Sequence, residues 1–505
     1  MPLQNLNPDV LLVIFALVDV ATILSLSRVN KAFNAISSAK QLWLSVVRDL
    51  SSRWLIDLPG NQILDTCSTA ELIAQVKRGV LGPQTWSPTC SASPTLMQQI
   101  NIPVEGLQGS RVGEGFRGAQ FLPDGRHFLL YPDSGLYVGG VECWEVHSMR
   151  RLWGMRFPSA EPILTAAFDF RGGGLKAVVI IVFIRHTIVL ETDMQTGQSH
   201  QYVRLPLVAH AAPRIQIWGD FLAWNESAAG RRYRPQLFLL NWRNAEIIFF
   251  DVPDMEANLA LFPGHLLLTF HDPHVGSQTI DHARIYSLAS LANLWCSCDH
   301  DEDPSVRNPE VSLAAGTALT DGTLPSVSFD IPVNEQQGVH YIRPSITQSL
   351  LRDETYQLVI EVVDLLYPVV DTRRGPIAFL ARRIRNQNPF IPGFTTTVSR
   401  YQLVCPAGPS LPPVPRLTSV FRHQKEVVNA DGGGIAIGYA LCRAAPVWRD
   451  TIAVRRLDEA GIRRPRELPM EGPKPLDAAS VDAQISRTGA VMSRGDNQVT
   501  VCYYL

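Results

Sequence analysis

The chain has 505 residues, 46% of them hydrophobic and 18% charged, and a formal net charge of −2. That length exceeds what one hydrophobic core supports, so either two domains or one repeat-built domain with an appendage is expected. The composition is that of a folded chain rather than a disordered one. The near-neutral balance gives no electrostatic case for binding nucleic acid or an anionic membrane.

Eight cysteines (67, 90, 143, 296, 298, 405, 442, 502) show no framework spacing, as fits a reducing compartment. No apolar run approaches the roughly 20 residues needed to cross a bilayer; Ala177 to Ile184, for example, ends at Arg185. A soluble protein of the cytoplasm or nucleus, with no membrane partner, is expected.

Taken in order, the chain opens with a helical block. Asn7 can cap a helix whose first turn holds Pro8, where the missing N–H is no loss, and Asp9, whose charge suits a helix N-terminus. Val10 to Val18 is apolar nearly all round, so that helix must be covered on more than one side. After Asp19, a second apolar group (Ile23, Leu24, Leu26, Val29) leads to Lys31, Phe33, Ile36 and Leu42-Trp43, making about three short helices. A secretory signal fits poorly, because no basic residue precedes Arg28 and Asp9 and Asp19 flank the apolar run.

This block resembles an F-box. Leu6, Pro8, Asp9, Val10, Leu11, Ile14, Phe15, Leu24, Val29, Lys31, Phe33, Leu42 and Trp43 stand where that family's pattern places them. One departure is clear: the Leu-Pro-acid that usually opens the second helix is Val20-Ala21-Thr22 here. The resemblance covers about the first tenth of the chain. It implies docking on a Skp-family adaptor of a cullin complex through Leu6, Pro8, Leu11, Leu12, Phe15, Ile23, Leu24, Val29 and Phe33. The residues alone leave a second reading open, in which these are core helices of a larger domain.

Further on, Ser68 and Glu71 form a capping-box pattern ahead of Leu72, Ile73 and Val76, predicting a helix from about Thr69 to Arg78, ended by Gly79 and Gly82-Pro83. From Trp86, helical periodicity gives way to short Val, Ile, Phe, Trp and Tyr runs punctuated by Pro and Gly. Seven hairpin patterns follow, centred on Gly125, Gly173, Gly219, Gly264, Gly375, Gly433 and Gly489. Successive turns among the first four are 48, 46 and 45 residues apart, close to the roughly 40–50 residues of a four-stranded propeller blade. One such sheet cannot bury both faces, whereas stacked sheets cover one another.

Val499 to Leu505 would complete a last sheet of three strands, and Met97 to Val104 is the free candidate for its fourth, closing a ring. The continuously apolar Ala177 to Phe183 suits a strand near a central channel, covered on both faces. A two-sheet sandwich would also accept that run. The body resembles the degenerate propellers that follow F-boxes in large fungal families, in its WGDF and FPGH turns and its VCYYL ending; regular WD dipeptides are absent from the sequence.

The expected fold class is therefore α+β multidomain: a small all-α F-box at 1–50, a helical linker at 51–85, and a mainly β, propeller-like domain of seven blades at 86–505. An irregular insertion at about 299–338, rich in Asp, Pro, Ser, Thr and Gly, is placed within the fifth blade.

Chemistry-bearing patterns are sparse. Gly113 to Gly118 matches GxGxxG but leads into a strand, not the helix a dinucleotide needs. Cys296, Cys298 and His300 crowd three ligands into five residues without a partner pair for zinc. Histidines 127, 186, 210, 265 and 282 lie beside strands or turns, and the basic clusters at 231–234, 382–385 and 463–466 read as solvated faces or as recognition of an acidic segment. No catalytic residue, metal or cofactor is assigned. The resemblance implies a non-catalytic substrate receptor of a cullin-type ubiquitin ligase, binding an unknown protein target through the propeller. The alternatives are a propeller-built interaction scaffold outside ubiquitin chemistry and a propeller enzyme with polar groups at its channel.

Overall fold

The computed structural model describes residues 6–53, 55–56, 64–86, 90–104, 118–122, 125–131, 140–156, 163–171, 176–183, 186–194, 196–205, 215–226, 236–251, 258–272, 280–297, 311–312, 325–331, 339–366, 393–405, 413–424, 435–436, 439–443, 452–456, 466–467, 483–485, 490–494 and 498–504. It shows a helical block followed by antiparallel sheets stacked in a propeller-like manner.

Five helices make the block: α1 (Pro8–Ala16), α2 (Val20–Leu26), α3 (Lys31–Ser37), α4 (Lys40–Ser52) and α5 (Thr69–Leu81). Four of the five starts are capped by a side chain, including those expected at Asn7 and Ser68; α4, which follows Ala39, is not. Asn7 accepts from the Asp9 N–H, and Asp19 and Asn30 do the same for Thr22 and Phe33. The Ser68–Glu71 capping box is fully formed. Each such cap satisfies a donor that the first turn leaves without a partner.

Helix α5 runs past the stop expected at Gly79 and ends at Gly82, whose φ of 76° is open to glycine. Gly79 is an interior residue there for a packing reason. A Cβ on it would lie 2.8 Å from Leu350 Cδ1 and 2.9 Å from Ile56 Cγ2. Leu55, Ile56, Cys67, Leu72 and Val76 share one core with Leu11, Phe15, Ile23, Phe33, Leu42 and Trp43, so the stretch after α4 packs with the first helices as one body.

Seven sheets are present among the described residues. The first is Gly118–Phe121, His127–Tyr131, Gly140–Glu145 and Arg150–Arg156; the second is Ile163–Arg171, Lys176–Phe183, Thr187–Asp193 and Ser199–Leu205. The third comprises Ile215–Trp218, Phe221–Glu226, Gln236–Asn241 and Glu246–Asp251, with Cys296–Ser297 and Val311–Ser312 added on its outer edge. The fourth is Asn258–Phe262, His265–Asp272, Ile280–Ser287 and Val327–Ile331. The fifth is Val339–Gln348, Thr355–Leu366, Gly393–Val404 and Val414–Gln424. The sixth is built from Ile435–Ala436, Tyr439–Arg443, Ile452–Arg456 and Arg466–Glu467.

The seventh shows the expected closure. Leu96–Pro103 pairs antiparallel with Gln498–Tyr504, Ile100 opposite Val501, and Val491–Arg494 and Ala483–Ile485 complete the sheet. Contacts among the described residues join the first sheet to the second, on through to the fifth, the sixth to the seventh, and the seventh back to the first.

Apolar layers fill the spaces between neighbouring sheets. Val178 and Ile180 face the third sheet while Ala177, Val179 and Ile181 face the first, so residues 177–181 of the apolar run are buried on both sides. It is the second strand of its sheet. Gly125, Gly219 and Gly264 take φ of 61°, 59° and 69° in their turns, a region a Cβ would strain.

One expectation needs correction, and another falls outside the described residues. Val327–Ile331 is the outer strand of the fourth sheet, so the 299–338 stretch interrupts the fourth sheet, not the fifth. The first hairpin of the fifth sheet turns at Ser349–Glu354, a stretch without glycine, and Gly375 lies outside the described residues.

Candidate functional site

The three N-terminal helices sort their apolar residues between an inside and an outside. Leu11, Phe15, Ile23 and Phe33 are buried in the block's own core, with the Phe15 and Phe33 rings edge to face at 5.6 Å. Leu6 and Leu12 pack against that core and are half-buried. Of the residues expected to meet an adaptor, Pro8, Leu24 and Val29 stand on the surface. Three further exposed residues were not on that list: Val10, Val13 (61% exposed) and Leu17 (81%). They are spaced i, i+3, i+7, which puts them on one face of α1. Leu24 lies on α2 and Val29 between α2 and α3, so α1, α2 and the link to α3 each show large apolar side chains to solvent. Isolated surface leucines and valines are ordinary, but five within 20 residues, beside a well-filled core, mark a face suited to a partner.

Comparison with known protein families matches residues 3–45 to the F-box domain. These residues are an F-box domain. The comparison with curated proteins gives no match. Among solved structures, the chain is similar to Kuenenia stuttgartiensis hydrazine synthase at 14% identity, covering 78% of this chain and 97% of that one, with a TM-score of 0.40. It is similar to Chaetomium thermophilum Raptor at 9% identity, covering 82% of this chain and 29% of that one, with a TM-score of 0.39. The β-propeller domain of the Trilobed protease from Pyrococcus furiosus is similar at 8% identity, covering 58% of this chain and 81% of that domain, with a TM-score of 0.24. The propeller-like fold is seen in the strand pairing itself.

On its other side the F-box meets the propeller. The Ser349–Glu354 turn brings Leu350 and Leu351 against the F-box core, and the Leu351 carbonyl accepts from the Ala21 N–H at 2.9 Å. Arg53 stands between Asp49 (3.2 Å) and Asp353 (2.6 Å). Burial opposes its charge, yet the two carboxylates outweigh that and raise the guanidinium's pKa. A second attachment lies at the closing strand. Arg78 donates to the Tyr504 carbonyl at 2.8 Å, and the Trp86 and Tyr504 rings meet at 5.6 Å.

Elsewhere, among the described residues, no group of three or more His, Cys, Asp or Glu could hold a metal ion. Cys298, His300 and the acidic residues 301–303 lie outside those residues, as do Gly113–Arg117, His210 and the basic clusters at 231–234, 382–385 and 463–465. Gly118 does open a strand. Among the described residues no helix is long and apolar enough to cross a membrane.

His186 and His265 are buried in sheet-packing positions. His265 Nδ1 lies 2.7 Å from the Pro263 carbonyl and must donate to it, while its ring stacks on Phe262. Burial pushes its pKa down and the carbonyl pushes back only partly. His282 pairs with Asp330 at 3.0 Å. Each of these contacts is structural, joining a strand to its neighbour.

Proposed function

We propose that this protein is the substrate-receptor subunit of a Skp/cullin/F-box ubiquitin ligase, acting in the cytoplasm or nucleus. The observation that carries the reading is an F-box domain at residues 3–45 whose outer face exposes Val10, Val13, Leu17, Leu24 and Val29 beside Pro8. A Skp-family adaptor would cover that face, and the propeller's loops would hold a protein target. Burying five side chains of this size is favourable by about 25 cal/mol per Å² of apolar surface removed from water. The receptor forms no covalent intermediate in this scheme. It raises the effective concentration of an acceptor lysine near a conjugating enzyme carried by the rest of the complex.

The docking residues divide by burial. Val10, Val13, Leu17, Leu24, Val29 and Pro8 would touch the adaptor, Leu6 and Leu12 would border it, and Leu11, Phe15, Ile23 and Phe33 would hold the helices in register beneath. A clean test therefore uses Val13→Asp with Leu17→Asp, which add charge outside the core. Co-purification of the adaptor with the wild-type chain and its loss with this double variant is the expected result. Unchanged co-purification would end the docking claim. Leu11→Asp or Phe15→Asp would be uninformative, since a buried charge unfolds the block whatever it binds.

One observation favours the scaffold reading: the F-box packs on its own propeller through Leu350 and Leu351. Under that reading the wild-type chain would capture no adaptor at all.

A further inference from the structure

Helix α2 opens on Val20-Ala21-Thr22 where the F-box pattern has Leu-Pro-acid. It starts cleanly nonetheless, because Asp19 accepts from the Thr22 N–H at 2.7 Å and its carbonyl accepts from Ile23 at 3.0 Å. That leaves the Ala21 N–H among the first-turn donors without a helical partner. It is donated to Leu351 of the propeller. A proline at 21 would have no N–H to give.

The same turn makes two more contacts. Leu350 enters the space over Gly79 and beside Ile56, and Asp353 meets Arg53. The turn is also stiff before it meets the F-box. Ser349 Oγ accepts from the Leu351 and Arg352 N–H groups, the Ser349 N–H bonds to the Thr355 carbonyl, and Gln348 Nε2 donates to the Asp353 carbonyl. One attachment alone would permit swivelling. The Arg78 bond to Tyr504 supplies a second, on a different sheet, and two separated attachments fix an orientation.

We propose that the Ser349–Glu354 turn is a positioning latch that, with the Arg78–Tyr504 contact, holds the F-box on the propeller in one orientation, and that Ala21 is the residue that opens α2 to it. Val13 and Leu17 stay exposed with the turn in place, so latch and docking face use different residues of one small domain. The latch rests on the observed contacts alone; its use in presenting a target at a fixed angle rests on the substrate-receptor reading.

The test is amide hydrogen exchange on the full-length chain, with and without the adaptor, together with small-angle scattering. Ala21→Pro removes the donor at a first-turn position where proline is tolerated. Leu350→Ala removes the packing from the propeller side, so a folding defect of α2 in the first variant leaves the question answerable. Expected for both is about tenfold faster exchange in the 349–354 turn and in α2, unchanged exchange in Lys176–Phe183, and a larger maximum dimension. Unchanged exchange at the turn and in α2 in both variants would overturn the latch. Failure of the wild-type chain to bind the adaptor would defeat the proposed function while leaving this comparison intact.

Discussion

Replacing Gly79 by alanine sets two effects of known size against each other. Alanine is the better helix former by about 1 kcal/mol, and Gly79 lies within α5, so propensity alone predicts stabilisation. The added Cβ would sit 2.8 Å from Leu350 Cδ1 and 2.9 Å from Ile56 Cγ2, where comfortable carbon contacts are roughly 3.5–4.0 Å. Both neighbours would have to retreat by the better part of an ångström. Ile56 cannot do so freely, being 1% exposed in a filled core. Overpacking of this kind costs about 1–3 kcal/mol, so Gly79→Ala should destabilise the junction by up to about 2 kcal/mol despite improving the helix. Hydrogen exchange of α5 amides reads the sign directly, with acceleration of up to about thirtyfold. A Leu350→Ala background provides the control, since it removes one of the two clashing atoms and should lower the cost of Gly79→Ala by about 1 kcal/mol. Slower exchange in the single variant, or the same cost in both backgrounds, would refute the packing argument.

Three further outcomes are expected. Ile102 is fully buried between the closing strand and the first sheet, so Ile102→Ala should cost about 2–5 kcal/mol and speed exchange in Gln498–Tyr504; a change that spares that strand would disprove the closure. His265 and His147 are both held below the ordinary histidine pKa, each chiefly by burial, with Arg126 adding to the effect on His147. The unfolded chain therefore takes up protons more readily than the native one: their contribution is complete above about pH 6.5 and declines as pH falls through that value. His265→Gln should flatten the difference in urea midpoint between pH 7.5 and 5.5, and an unaltered difference would exclude this group as the cause. In the F-box, Phe15→Ala should cost about 3–5 kcal/mol by leaving a cavity beside Phe33. Leu17→Ala, at an exposed site, should leave the isolated chain's thermal stability within about 0.5 kcal/mol. Equal losses from the two would mean that the assignment of inner and outer faces is wrong.

Local chemistry was legible in the sequence, whereas side-chain contact between the helical block and the sheets was not. Asn7, Ser68 and Glu71 announce their helix starts because a cap is made within a few residues, and Gly125, Gly219 and Gly264 announce their turns because a left-handed φ has one favoured residue. The pairing of Leu96–Pro103 with Gln498–Tyr504 was also legible, because an apolar edge strand demands a partner and one stretch was unclaimed. Gly79 misleads for the opposite reason. Its sequence neighbours make it look like a stop, and the Leu350 side chain that requires it belongs to another domain. The turn at Ser349–Glu354 was invisible for want of glycine, since the Ser349 hydroxyl does the work of closing it.

Within the F-box, apolarity all round α1 conceals which face is covered. Leu11 and Phe15 look as ready for a partner as Val13 and Leu17 until α3 and α4 are seen to pack on α1 and bury the former pair. The departure at Ala21 has the same character. Read in sequence it is a lost proline at a helix start; with Leu351 in place it is a gained donor, and α2 loses nothing because Asp19 already caps it. A deviation from a family pattern is best judged by what its atoms bond to, and here the atom in question bonds across the seam that joins the F-box to the sheets.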